Sequence, residues 1–342
     1  MRTTPPQLVE EAVKVFDGHV MDAVHHILGV DGKRLTGYRQ SLINLPSRVG
    51  GLGIRLPSAV LEYAYECSKH AAEQTDDGPT QRDITSAIED EQWEELQRTL
   101  PEPAKVAALS ASGPRATACF SCGEEGGLNK MSDRAFLAML RFRLDLDPLE
   151  GLQGAKRCSC KGDEPDRHHA LCCRMARGDR KRMRHDGIKA AIALALKETG
   201  VSAFLEPRNY ATGSSKRPDI LAKIGSEVYA VEVSVAHPYQ TASRETAAAT
   251  QGAAGAGRCA QKHEKYDTLC ATQGHKLVVC AVETYGTVSQ EFVTFANLVA
   301  RKSRLPAAAL EGWKERLFGA VAKELHEGNL ELWSHHVSPC IA

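Results

Sequence analysis

Arg217-Pro-Asp-Ile-Leu-Ala-Lys-Ile-Gly-Ser-Glu-Val-Tyr-Ala-Val-Glu-Val-Ser-Val235 constrains this chain more than any other stretch. Ile220 to Ile224 is mostly apolar, Gly225-Ser226 has the composition of a two-residue hairpin turn, and Val228 to Val235 is rich in β-branched residues. The stretch therefore reads as a β-hairpin. On its second arm Val231, Val233 and Val235 alternate with Glu232 and Ser234, so the acid points away from the valines. Asp219 opens the first arm, and the turn folds it back toward Glu232. Two carboxylates brought together in this way suit one hard cation such as Mg²⁺. The competing reading is an edge hairpin with a solvated face, on which Glu232 is merely exposed.

The surrounding composition narrows the class. In 342 residues, 43 Lys plus Arg balance 43 Asp plus Glu, so net charge selects no partner and any nucleic-acid contact must rest on local charge. No apolar run reaches the eighteen residues of a membrane span. Met1-Arg-Thr-Thr-Pro-Pro is not followed by an apolar signal core, so the expected location is nuclear or cytoplasmic and not secreted. Eleven cysteines, four of them between 158 and 173, then favour metal binding over disulfides.

Helical periodicity dominates the N-terminal part. Apolar residues recur from Val9 to Leu28, a Pro- and Gly-punctuated turn follows over Leu45 to Ile54, and a second helix is expected over Pro57 to Gln74. Thr80 to Thr99 reads as a charged, solvated helix. The Cys119-x-x-Cys122 pair lacks a second ligand pair at finger spacing and reads as two buried thiols. Asp133 to Leu146 is periodic, with Phe136, Leu137, Leu140 and Leu144 expected on its buried face.

Cys158-x-Cys160 and His168-His169-x-x-Cys172-Cys173 enclose a loop holding Gly and Pro. Cys158, Cys160, His168 and Cys173 supply the four borderline or soft ligands of a tetrahedral structural zinc, with His169 and Cys172 as alternates. The loop carries too few apolar residues to order itself without metal. Six of the thirteen residues from Arg174 to Asp186 are Arg or Lys. Arg180, Lys181, Arg182 and Arg184 are candidate phosphate contacts at the start of a helix running to Glu198, with Met183, Ile188, Ile192 and Ala195 expected inside. Beyond it are expected a strand over Ser202 to Glu206, the hairpin, a Gly-interrupted helix over Ser243 to Thr268, a strand over Lys276 to Glu283, and helices over Gln290 to Lys302 and Leu310 to Glu324. Residues 325–342 read as a loose tail.

Several motifs, in this order, resemble one family. Leu45-Pro-Ser-Arg-Val-Gly-Gly-Leu-Gly-Ile-Arg-Leu-Pro through Cys67-Ser68 is similar to the thumb-exit segment that follows the polymerase palm in non-LTR (LINE-type) retrotransposon reverse transcriptases. The cysteine cluster resembles that family's CCHC knuckle. Arg184-His185 resembles the Arg-His pair that opens its next helix, and Val282-Glu-Thr-Tyr-Gly286 its later Glu-x-x-Gly strand. The Pro218-Asp219…Glu232 pair resembles the PD-(D/E)xK nuclease signature, except that Ser234 stands where a lysine is usual. In the restriction-like endonuclease of non-LTR elements that lysine moves to the next helix, in a Lys-x-x-Lys-Tyr pattern matched by Lys262-His-Glu-Lys265-Tyr266.

The resemblance implies an α/β fold with a restriction-endonuclease-like core, a small mixed sheet flanked by helices, beside a mainly helical N-terminal region and a zinc knuckle. The implied division is 1–75 thumb exit, 76–150 helical linker, 151–178 knuckle, 179–300 endonuclease and 301–342 helical extension and tail. It implies Mg²⁺ at Asp219 and Glu232, Glu206 as a third acid, Lys262 orienting water, Lys265 near the nucleic acid, and a DNA target nicked to leave a priming 3′-hydroxyl. The element's RNA is a second implied partner, and no membrane is. No aromatic-x-Asp-Asp occurs, so the carboxylates of DNA synthesis are not expected in this chain. Two other readings compete: a non-catalytic nucleic-acid-binding module built from the knuckle and the basic helix, and an inert structural relic.

Overall fold

The computed structural model describes residues 4–30, 35–72, 80–121, 130–149, 166–173, 178–212 and 214–337. Cys122, Cys158 and Cys160 therefore lie outside the described residues. The chain separates into two compact units, Met1–Lys105 and Val106–Ala342, a division that falls within the expected helical linker.

The first unit is helical: α1 (Pro6–Ile27), α2 (Tyr38–Asn44), α3 (Leu61–Ala72) and α4 (Gln81–Thr99), with a 3-10 turn over Pro57–Val60 leading into α3. Thr80 caps α4 through a capping box with Asp83, which is why the helix starts there. The Gly-rich turn doubles back on α2: Leu52 and Ile54 donate their N–H groups to the carbonyls of Leu42 and Ile43, at 2.9 and 3.1 Å. Gly50 and Gly53 hold positive φ there, at 88° and 78°. Glu89 of α4 is buried and paired to Arg48 and Arg55 of the same turn.

The second unit is a four-stranded mixed sheet among helices. After α5 (Glu102–Ala111), within which the division falls, the chain passes through α6 (Asp133–Arg143), α7 (Arg167–Cys172) and α8 (Gly178–Glu198). It then forms β1 (Ser202–Leu205), β2 (Ile220–Ile224), β3 (Glu227–Ala236), α9 (Arg244–Ala249), α10 (Ala253–Thr272), β4 (Lys276–Glu283), α11 (Gln290–Lys302) and α12 (Leu310–Val337). The spatial order is β1-β2-β3-β4; the first three are antiparallel, and β4 is parallel to β3. Gly225, at φ 62°, makes the two-residue turn between β2 and β3. The last of these is thus an inner strand, and Glu232 is not on a solvated edge: it is 2% exposed.

Each sheet face has its own core. Tyr229, Val231 and Val233 pack with Ile188 and Ile192 of α8, Phe292 and Phe295 of α11, and Trp313 and Leu317 of α12. On the other face Ala230 packs with Tyr210 and with Tyr266 and Cys270 of α10. Strand alternation puts Glu232 on this second face.

Several expectations are corrected. Residues 325–337 are not a tail: α12 continues to Val337, because Leu325, Leu330, Leu332 and Trp333 are apolar at helical spacing and buried. Met183 is 66% exposed, and Arg184 takes the inward position beside it. The buried face of α6 runs through Ala135, Ala138, Met139 and Phe142, leaving Phe136 and Leu137 half-buried. The Gly-interrupted helix is two helices, broken at Gly252, whose φ is 72°.

Candidate active site

Asp219 and Glu232 occupy opposing positions on one face. Ile220 pairs with Val231 at the end of the β2–β3 ladder, so the next position along brings Asp219 opposite Glu232. The Val233 N–H donates to Asp219 Oδ2 at 2.8 Å, which fixes that carboxylate against β3. Lys262 reaches down from α10 and donates to Glu232 Oε2 at 2.6 Å. Glu232 Oε1, buried as well, has no hydrogen-bond partner among the described residues. Burial, and then the nearby Asp219 charge, push the Glu232 carboxyl above the usual carboxylate range against the pull of Lys262.

His185 holds Asp219 from the other side. Its Nε2 lies 3.3 Å from Asp219 Oδ2 and 3.2 Å from the Val233 carbonyl, and its Nδ1 lies 3.2 Å from Asp186 Oδ1. The hydrogen bond with Asp219 raises the His185 pKa over the opposing effect of burial. Burial would raise the Asp219 pKa, but the bond and charge of His185, the Val233 N–H and the charge of Lys262 bring it below the ordinary value. Asp186 in turn accepts from Lys189 Nζ at 2.7 Å. Lys189 also pairs with Glu206, whose other oxygen accepts from Arg217 at 2.5 Å.

Asp219, Glu232 and Lys262 are thus gathered at one place. Among the described residues the Glu206 carboxylate is linked to them through Lys189, Asp186 and His185, while its backbone N–H donates to the Asp219 carbonyl at 2.9 Å. Sequence reasoning assigned His185 no role and did not single out Asp186 or Lys189. The available signal was their spacing on α8: Asp186 and Lys189 are three residues apart and so share a face.

The basic run does not present a uniform surface. Arg182 is exposed, and its nearest acid is Asp186, one helical turn on. Arg180 pairs with Glu331 of α12. Lys181 donates to the Cys172 carbonyl at 2.6 Å. Arg184 is 6% exposed and donates to Asn329 Oδ1 at 2.6 Å, so a solvent-facing phosphate contact there is corrected to an internal tie between α8 and α12. Lys265 is exposed, its ammonium 4.7 Å from the Tyr266 ring centroid.

Of the zinc candidates, His168 and Cys173 are described. His168 is buried, with Nδ1 3.2 Å from His237 Nε2 and with Arg167 Nε donating to its Nε2 at 3.3 Å. His237 Nδ1 continues to Thr284 Oγ1 at 2.7 Å. Cys173 is buried, and Cys172 Sγ accepts from Gln240 at 3.4 Å. Among the described residues no three His, Cys, Asp or Glu side chains form a metal-holding group. At the carboxylate pair the donor chemistry nonetheless fits a hard divalent cation: two oxygen ligands on one face, one of them with a buried oxygen left unmatched.

No protein-family model matches the chain. Over 257 residues, 75% of its length, the chain is 27% identical to the "Retrotransposable element SLACS 132 kDa protein" of Trypanosoma brucei gambiense, and it spans 20% of that protein. This likeness supports a retrotransposon origin for the chain.

Proposed function

We propose that the second unit is a metal-dependent DNA endonuclease with a restriction-like core, which nicks a target strand and leaves a 3′-hydroxyl able to prime reverse transcription. The observation that carries this reading is Glu232: a buried carboxylate opposite Asp219, held by Lys262 on one oxygen and unmatched on the other. A structural protein has little reason to bury such a group on an inner strand, because a buried charge without full partners is costly.

Asp219 and Glu232 would hold Mg²⁺, which supplies Lewis-acid polarisation of the scissile phosphate and a more acidic water. Lys262 brings a positive charge to the same place, where it orients water or offsets the charge that develops on phosphorus. His185 and the Val233 N–H keep Asp219 ionised and aimed. Glu206 anchors the far end of that relay, a supporting position in place of that of a third ligand. A structural Zn²⁺ at Cys158, Cys160, His168 and Cys173 belongs to this reading on spacing alone. The contacts of His168 with His237 and Arg167 keep His169 as the alternate histidine.

The binding-module reading finds less support, since Lys181 and Arg184 of the basic helix are used internally. Incubation of supercoiled plasmid with Mg²⁺ tests the proposal. Relaxed circles whose nicks a DNA polymerase extends without end repair are expected. Plasmid left supercoiled, or nicked equally in EDTA, removes the endonuclease reading.

A further inference from the structure

The loop that returns from β1 to Asp219 forms an open cleft of about 760 Å³. Three of its lining residues are cations, Arg208, Lys216 and Arg217, and none is acidic. All three are exposed. Arg217 pairs with Glu206, whereas Arg208 and Lys216 extend their charges into solvent.

The loop is not slack. Tyr210 and Ala211 are buried in the core on the α10 side of the sheet, and the Tyr210 hydroxyl lies 3.0 Å from His275 Nδ1. Ala211 and Ser214 form an isolated bridge, and the Glu206 N–H to Asp219 carbonyl bond closes the base. The cations are therefore carried on an anchored scaffold that ends at the candidate catalytic carboxylate. Phe204 of β1 pairs with Leu221, which pairs with Ala230, so it faces the same side of the sheet as Glu232. It is 62% exposed, so this face of the sheet also presents an aromatic ring, and nucleic-acid-binding faces combine such rings with cations.

We infer that the cleft lined by residues 207–212 and 214–217 is a docking site for the phosphodiester backbone of DNA, with Arg208 and Lys216 contacting phosphates that flank the bond presented to Asp219 and Glu232. This deepens the endonuclease reading and rests on it for the orientation of the strand. Contacts of this kind fix register and give affinity without reading sequence.

The test is fluorescence anisotropy of the full chain with a fluorescein-labelled 30-base-pair duplex in buffer without added Mg²⁺ or chelator, where no Mg²⁺-dependent cutting intervenes, across a salt series. The variants are R208S/K216S and, as a control of equal charge loss on α11, R301S/K302S. The loop pair is expected to weaken binding on the order of tenfold and to flatten the log affinity against log salt slope by about 1.8, near 0.9 for each lost phosphate contact. The control should leave both unchanged, and far-UV circular dichroism should match wild type for both. Equal weakening by the two pairs, no weakening by the loop pair, or no duplex binding by wild type each overturns the inference. Selective weakening by the loop pair in a protein that nicks nothing would leave this site standing while removing the endonuclease reading.

Discussion

Lys262 Nζ donates to Glu232 Oε2 at 2.6 Å, although the two residues come from a helix and from an inner strand thirty positions earlier. Two residues after Glu232, at the position where the PD-(D/E)xK signature carries its lysine, Ser234 is buried instead. The interaction satisfies half of the carboxylate and leaves Oε1 unmatched. A buried carboxylate oxygen without a partner costs stability.

That relationship gives a stability test. A buried carboxyl with a raised pKa contributes stability that is fully present below the ordinary carboxylate value and lost as pH rises through the folded value. Glu232→Gln removes this dependence. Its Tm is expected to match wild type near pH 4 and to exceed it at pH 7 to 8, while nicking is lost. Thermal melts from pH 4 to 8 check this; a variant less stable than wild type at pH 7 would show that Glu232 is already compensated.

Added Mg²⁺ should raise the Tm of wild type, because a ligand bound only by the folded state stabilises it, by ~2.7 kcal/mol at a hundred times Kd. Asp219→Asn and Glu232→Gln should not respond. Melts with and without Mg²⁺ after EDTA treatment make the comparison, and equal shifts in all three proteins would place the ion elsewhere.

His185 and Asp219 shift in opposite directions, and the signs define a window. The raised His185 pKa contributes stability below the ordinary histidine value of ~6.5, lost as pH rises through the folded value. The lowered Asp219 pKa contributes above its ordinary value of ~3.9, lost as pH falls through the folded value. His185→Ala should therefore lower Tm most between about pH 4 and 6.5 and least above pH 8. As a positioning residue it should also cost ~10–100-fold in nicking, the range usual for groups that orient a metal ligand. A uniform Tm loss across pH would mean that the ring only fills space.

The C-terminal half of α12 should be indispensable to the second unit. Trp333 is fully buried, donates its Nε1–H to the Arg167 carbonyl at 2.9 Å, and packs edge-on against Phe142 at 4.9 Å. Trp333→Ala should cost ~3–5 kcal/mol in urea denaturation. Gly328→Ala should cost ~1–3 kcal/mol, since a β-carbon there falls 2.5 Å from Arg184 Cβ. Stability unchanged by both would return α12 to the status of an appendage.

Much of this was legible because it is local. The hairpin, its turn at Gly225 and the alternation that turns Glu232 from Val231 and Val233 follow from period-two patterning and a two-residue turn. The position of Lys262 was legible only through resemblance, since nothing near it in sequence signals a carboxylate across the sheet. The inward Arg184 was misread because a basic run has no periodicity that separates a solvated charge from one satisfied by Asn329, 145 residues away. The extension of α12 was missed because Glu324, Glu327 and the buried His326 break up the apolar stripe of Leu325, Leu330 and Trp333 in the sequence. The relay from Glu206 to Asp219 joins the middle of α8, the end of β1 and the start of β2, a convergence that appears only once the sheet is assembled.

Single-hit plasmid nicking rates with Mg²⁺, for wild type, Asp219→Asn, Glu232→Gln and Lys262→Ala at matched folding, bear most directly on the proposed function. Wild type should nick, the two carboxylate variants should fall to background, and Lys262→Ala should lose ~10²–10³-fold, as expected when one charge-stabilising group is removed. Nicking by Asp219→Asn or Glu232→Gln at the wild-type rate would show that these carboxylates do not cut DNA.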